Sequence, residues 1–466
     1  MKRNNSFAIL QQPRYLLVIF AAQLLYILLR SSSLPLNTGP QTFAAIAIPA
    51  AAALFFAVLW IASLPKIPLP LAALWRKRPM ALRGRAANMT ALLALLLWGV
   101  FSTSVIIDSA AGSSYHADAL GYLHLSALDV LHGVNPYTDS SIIWRAALIW
   151  PKMGSTPLQR GAFASCSLCF PSQNQVDSLM RVEALNPLAR GPEWDPRTGH
   201  NYPAGSFLLA APLVWAGLPS IAMLDILATF VIIGFVVQKA PAGSKITVLV
   251  ASMAMASTFF TEFDALALVF ILAAWQWITK TKTSAALVGI GCAVKQLAWF
   301  FAPFYLIYTW KRYGMRQTAI RAGWIAVFFL LPNLPFILLS PQAWLQSMFV
   351  PMSDPMFPVG IGFVSLSIGR ALPLFAPAVY SILEFSAWGG LMVYQLLRRG
   401  YRNDGLIVAL IPIFFARRAL ITYISLLPLF ALWMITAQQK EAQQQQPAHS
   451  APSFLHESAA YAIQPE

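Results

Sequence analysis

Charge is scarce in this chain. Of 466 residues only 11% are charged and 58% are hydrophobic, whereas a soluble domain carries about 25% charged residues. That shortage excludes an ordinary soluble globular protein. The apolar-out, polar-in alternation of an outer-membrane barrel is missing too. Cysteine is nearly absent, with three residues in all. Cys292 stands in an apolar segment, where an inert core thiol is expected. Cys166 and Cys169 form a lone CxxC with no second pair and no neighbouring histidine, which leaves a zinc site unsupported. A local disulfide fits if that loop faces an oxidising compartment. There is no HExxH, no Cys/His cluster, no GxSxG and no phosphate-binding glycine loop. Those gaps exclude zincin, serine-hydrolase and P-loop chemistry. His116, His124 and His132 are spaced by eight, which turns a helix by about 80° per step, so they do not converge on a metal. No cofactor is expected, and a divalent metal is left open.

What the chain does have is apolar sequence in runs near the ~20 residues that cross a bilayer. "LLVIFAAQLLYILL", "TFAAIAIPAAAALFFAVLWIASL" and "ALLALLLWGVFSTSVII" are the first three. The expected fold is an all-α polytopic membrane protein, a helical bundle of about 10–13 transmembrane helices with a long extracytoplasmic loop. The net charge of +15 sits in short clusters between apolar runs. They are Arg76, Lys77, Arg78, Arg83 and Arg85; Lys311, Arg312, Arg316 and Arg321; and Arg398, Arg399 and Arg402. That is the positive-inside pattern, which orients helices and needs no nucleic acid.

Lys2, Arg3 and Arg14 put the N-terminus in the cytoplasm, and the first apolar run reads as a retained span, not a cleaved signal. Residues 1–87 then form a transmembrane hairpin with a basic cytoplasmic loop. Residues 88–437 form the main membrane domain, and 438–466 a Gln-rich disordered cytoplasmic tail. Parity places 108–203 outside, and a connection of that length is usually functional. Short hairpins are expected at 246–278, at 283–310 with its tip near Lys295, and at 405–437 with Arg417 and Arg418 at its tip. Lys239 and Lys245 conflict with strict alternation, which implies that one segment between 204 and 238 does not cross fully.

The stretch "DALGYLHLSALDVLHGVNPY", residues 118–137, carries the first candidate chemistry. As a helix over 118–132 it places Asp118, Tyr122, Leu125 and Asp129 on one face. Gly133 suits a C-terminal stop, and Asn135-Pro136 forces a turn after it. Asp118 can accept a proton from a hydroxyl, bind a metal, or cap its own helix. Asp264 follows Glu262 at an expected hairpin tip, as an interface anchor or a functional carboxylate. Lys295 can snorkel, or hold a phosphate as a point charge. Arg417 and Arg418 run against the positive-inside trend and fit an anionic partner.

These pieces, in this order, resemble the C-type (GT-C) membrane glycosyltransferases, most closely glycosyltransferase family 87, a mannosyltransferase-like group. The aspartate, the tyrosine four residues on and the G-x-N-P-Y turn carry the likeness. So do "NYPAGSFLLAAPL", "FDALALVFILAAWQW" and "SAALVGIGCAVKQLAWFFAPFYLIY". The resemblance implies an inverting transfer of a hexose from a polyprenyl-phosphate donor to a lipid or glycan acceptor, in the outer leaflet of the cell membrane. Asp118 matches the family's catalytic base. Tyr122, Asn135, Tyr137, Asp264, Lys295, Arg417 and Arg418 fall to substrate binding. The two leading spans and the insert at 145–198 have no counterpart in the family. A transporter or flippase of lipid-linked saccharides is the competing reading of the same spans and charges.

Topology is open to direct test. A cysteine placed at Ser172, in a background lacking native cysteines, is expected to react with a membrane-impermeant thiol reagent in intact cells. Labelling only after permeabilisation would put 108–203, and Asp118 with it, on the wrong side.

Overall fold

A computed structural model describes residues 13–32, 41–64, 115, 118–151, 153–164, 168, 170–189, 199–241, 244–256, 263–398 and 403–445. Among them the chain is all-α, with 17 α-helices and one parallel pair of two-residue strands, Val359–Gly360 against Arg418–Ala419. The helices are α1 (Pro13–Ser32), α2 (Gln41–Ser63), α3 (Asp118–Leu131), α4 (Ile142–Ile149), α5 (Gln173–Leu185) and α6 (Gly205–Trp215). They continue as α7 (Ala222–Lys239), α8 (Lys245–Ala256), α9 (Ala265–Gln276), α10 (Thr281–Val294), α11 (Phe301–Tyr313) and α12 (Met315–Leu339). The last are α13 (Pro341–Ser353), α14 (Val364–Ile368), α15 (Pro377–Leu397), α16 (Gly405–Val408) and α17 (Leu427–Gln445). The expected third span at 88–107, the basic cluster Arg76 to Arg85, Cys166 and Cys169 lie outside the described residues.

Four described segments are long and apolar enough to cross a membrane: Ile46–Ser63, Ala222–Lys239, Met315–Leu339 and Ile421–Gln439. Between 204 and 238 the short member is α6. Its 11 residues reach about 16 Å at the helical rise, well under the ~30 Å hydrocarbon core. The expected hairpin at 283–310 is two short helices, α10 and α11, broken by an extended Lys295 and a 3₁₀ turn, Gln296–Phe300.

Small residues decide which helices touch. Where lipid tails are as apolar as leucine, close backbone approach substitutes for a hydrophobic drive. A Cβ on Gly289 would meet the Ile325 carbonyl of α12 at 2.6 Å, and one on Gly291 would meet the Ala267 carbonyl of α9 at 3.2 Å. A Cβ on Gly205, at the start of α6, would meet the Ala293 carbonyl at 2.6 Å. So α10 is a narrow post with α6, α9 and α12 drawn against it, and Lys295 is the residue on which it ends.

Two expectations are corrected here. Arg321, grouped by sequence with the cytoplasmic basic cluster, is 1% exposed. It donates to Tyr305 Oη at 2.5 Å, Ile278 O at 2.8 Å and Ser284 Oγ at 3.2 Å, tying α12 to α10 and α11. The tail expected to be disordered from residue 438 stays helical through Gln445, as a continuation of α17, whose residues 427–437 are buried. Gln438 and Gln439 accept from Arg14 and Tyr15 of α1, each at 2.9 Å.

Gly205→Ala is expected to destabilise the protein by about 1–3 kcal/mol, the usual range for overpacking. Gly234 of α7 faces open space, and Gly234→Ala should be neutral or stabilising by roughly 0.5–1 kcal/mol. Thermal unfolding of the purified variants in one detergent measures the contrast.

Candidate functional site

The outer helix comes first, because Asp118 opens it. α3 stops where Gly133 turns left-handed, φ +77°, and Val134 N donates to Asp129 O at 2.8 Å. That is the glycine-terminated stop that the sequence predicts. The helix is less one-sided than its spacing suggests. Leu120, Tyr122, Leu123, Leu125, Ser126 and Asp129 are all buried, since α3 is seated between α4 and α6 and does not lie on a surface. Tyr122, at 1% exposure, is packed in the core.

Asp129 is a structural ion. Its Oδ2 takes Arg145 Nη2 at 2.8 Å, and Arg145 also meets Asp139 at 2.5 Å. Burial pushes the Asp129 carboxyl above the usual range, and Arg145 opposes that shift. Asp118, by contrast, is only half-buried. Among the described residues, the hydrogen bond to its Oδ2 comes from the Thr156 amide at 2.8 Å, across the fold and not from its own first turn.

The Asn135-Pro136-Tyr137 turn is a brace. Asn135 Oδ1 accepts from Tyr137 N at 3.1 Å, and Tyr137 Oη donates to Tyr202 O at 2.8 Å. Tyr202 thereby presents its ring to Lys295, whose Nζ lies 5.4 Å from the ring centre and 5.6 Å from that of Tyr423. Lys295 is 7% exposed and Asp264 2%. Their Nζ–Oδ1 distance is 2.5 Å. Asp264 stands at the N-cap of α9 and Lys295 follows the last turn of α10. The two residues that sequence reasoning placed at separate hairpin tips are therefore one buried ion pair. Arg418 is an electrostatic neighbour of the Tyr423 hydroxyl.

Arg417 and Arg418 lead into the two-residue strand pair, where Val359 N donates to Arg417 O at 3.2 Å. Arg417 Nη2 donates to Gln159 Oε1 at 2.9 Å. Its Nε, and Nη1 of Arg418, are buried without a hydrogen-bond acceptor among the described residues. Burial, with Arg418 adding to it, holds the Arg417 guanidinium below its ordinary value. Both observations describe donors suited to an anion. Thr156 and Gln159 belong to one strap, pinned by Gln159 N on Pro355 O at 2.7 Å and by Leu158 packing on Val350 and Met356. Three residues of extended chain reach about 10 Å, so the strap keeps Asp118 and Arg417 in one neighbourhood.

The sequence reading missed several members. Asp225, in the first turn of α7, is 1% exposed, and its Oδ1 accepts from Leu266 N at 3.0 Å. A carboxylate inside "SIAMLDILATF" was a legible signal. His200 is fully buried between Ser126 Oγ at 3.0 Å and Ser206 Oγ at 3.4 Å. Asn333 accepts from Ala204 N at 2.9 Å. The chain matches no family model, no curated protein and no solved structure.

His124 allows a pH test. Its Nδ1 takes the Tyr115 hydroxyl at 2.7 Å, and burial pulls its pKa down to about 4. A depressed imidazole contributes stability that is fully present above its unfolded value, ~6.5, and is lost as pH falls toward the folded one. The melting temperature of the parent should therefore fall between pH 6.5 and 4 more steeply than that of His124→Asn. Parallel curves would remove this residue from the pH response.

Proposed function

We propose that the chain is an integral membrane glycosyltransferase of the GT-C type, akin to glycosyltransferase family 87. Its reaction moves a mannose-like hexose from a polyprenyl-phosphate donor to a hydroxyl of a lipid or glycan acceptor. It works on the extracytoplasmic side of the cell membrane, within a multi-pass bundle of about 10–13 spans. The observation that carries this reading is the strap. It fastens a half-exposed carboxylate, Asp118, and an arginine with a buried unfilled N–H, Arg417, to the two ends of one short segment. In-line transfer needs that pairing. Asp118 takes the proton of the acceptor oxygen as that oxygen bonds to the anomeric carbon. The carbon–oxygen bond to phosphate breaks on the other side, and the charge left on phosphate meets Arg417 and Arg418.

Lys295 fits this scheme less directly, because Asp264 already holds it. A phosphate at Lys295 has to compete with that carboxylate. Lys295→Ala would leave Asp264 a buried charge without a partner, a cost of about 3–5 kcal/mol, so donor binding is better tested at the arginines. The transporter reading has one observation on its side: buried charges at helix ends inside an apolar core are a usual mark of ion and substrate pathways.

Asp118→Asn is expected to lose at least about a hundredfold in transfer of labelled sugar from a polyprenyl phosphate, the low end of general-base catalysis. Asp129→Asn should lose far less. Arg417→Ala and Arg418→Ala should each weaken donor binding by about 1.5–3 kcal/mol, the worth of a charged hydrogen bond. Turnover and binding by matched amounts of purified, monodisperse protein decide the matter. No transfer by the parent, together with flipping of the same lipid in liposomes, gives the function to the transporter.

A further inference from the structure

Asp225 is a second buried carboxylate beside the Lys295–Asp264 pair, and the proposed transfer does not use it. Its Oδ1 is spent on the Leu266 amide at 3.0 Å. Its Oδ2 is buried and has no hydrogen-bond partner among the described residues, and Oδ2 of Asp264 is in the same condition. Asp225 is 1% exposed and Asp264 2%. Among the described residues, the charged and titratable groups around Asp225 are Asp264 at the start of α9 and Lys295 between α10 and α11. Tyr202 and Tyr423 flank Lys295, and Arg418 stands beyond Tyr423. Two carboxylates thus stand near one ammonium, which Asp264 holds, in an apolar interior. Ionised together, the three groups carry one uncompensated negative charge, which such surroundings disfavour strongly.

We infer that Asp225 is a proton-binding site in the membrane core, with the proton on its unpartnered Oδ2. The step is simple protonation: an O–H bond forms at Oδ2 as one O–H bond of a hydronium ion breaks and leaves water, with no change of oxidation state. Asp225 is then a neutral acid, and Asp264 and Lys295 remain a balanced pair. The bound proton supplies the one cation that the geometry lacks, and it fits where both free oxygens are already enclosed. An anion drawn toward Lys295 also meets a neutral neighbour instead of a second carboxylate. The inference is independent of the proposed transfer and applies equally to a transporter.

The test is infrared spectroscopy of the purified full chain in lipid nanodiscs at neutral pH. The parent should show the carbonyl stretch of a buried protonated carboxylic acid, shifted in heavy water. Asp225→Asn should abolish that band, and Asp118→Asn should keep it. Asparagine retains the oxygen that accepts from Leu266 and places an N–H where the acid O–H stood. Asp225→Asn should therefore melt within a few degrees of the parent, whereas Asp264→Asn, which strips Lys295 of its partner, should melt much lower. The inference is overturned if no Asp225-dependent band exists, or if Asp225→Asn melts as low as Asp264→Asn. It is also overturned if the band is absent and Asp225 confers stabilisation by sodium over choline chloride, since the cation would then be a metal ion.

Discussion

The contact on which the rest of this fold depends is the ion pair between Lys295 and Asp264, 2.5 Å apart and almost wholly buried. Taking two charges out of water costs several kcal/mol per ion after relaxation. That cost is recovered only if the partners are held close and dry. Here the backbone helps. Asp264 sits at the N-cap of α9 and Lys295 just past the C-terminal turn of α10. Each charge therefore faces the helix end whose dipole favours it, at about 0.3–1 kcal/mol apiece and up to ~2 when partly buried. The first-turn amide of Leu266 in α9 is taken by Asp225 Oδ1 at 3.0 Å, so the pair and its neighbouring carboxylate meet at one helix end.

Seating that pair imposes demands on elements far away in sequence. The glycines of α10 let α9 and α12 approach closely enough for the two helix ends to meet. The bare Cα of Gly205 lets α6 start against Ala293, which delivers Tyr202 to Lys295. Tyr202 is fixed in turn from three sides. Asn333 holds the amide of Ala204, Tyr137 donates to the Tyr202 carbonyl, and His200 bridges Ser126 of α3 to Ser206 of α6. The turn after α3 is thus mechanically joined to the ion pair, through hydrogen bonds that are worth about 1 kcal/mol each but are costly to leave unmade in the interior.

The sequence made local features legible and left long-range ones hidden. A helix over 118–132, two short helices within 283–310, the glycine stop at 133 and the break at Lys295 follow from periodicity, turn chemistry and one interrupted apolar run. The short α6 was foreshadowed only as a conflict between strict alternation of spans and the side that Lys239 and Lys245 favour. Spacing could not say that Asp264 and Lys295 are partners, because nothing in either segment refers to the other. It also misjudged α3. Apolar positions at helical spacing imply one buried stripe, but a helix inserted among others buries several sides, so Tyr122 and Asp129 became core and structural ion. Arg321 misled for a related reason. A basic residue beside a basic cluster looks like topology until Tyr305, Ser284 and the Ile278 carbonyl are seen to spend its donors.

The insert shows why an unreadable segment can still matter. Residues 145–198 offer no motif, and composition alone gave them no role. Two of their backbone and side-chain groups nevertheless reach the candidate site, Thr156 N at Asp118 and Gln159 Oε1 at Arg417. Such contacts leave little trace in sequence, because any residue but proline supplies an amide and glutamine is unremarkable in a loop. What makes them effective is anchorage. Leu158 is fully buried, and the Pro355 carbonyl takes the amide of Gln159. A strap held at its middle cannot trade one contact for the other, so it fixes a separation instead of lending mobility. A separation set this way, between a carboxylate on an early helix and an arginine late in the sequence, is one the proposed transfer would use, and no single helix could provide it.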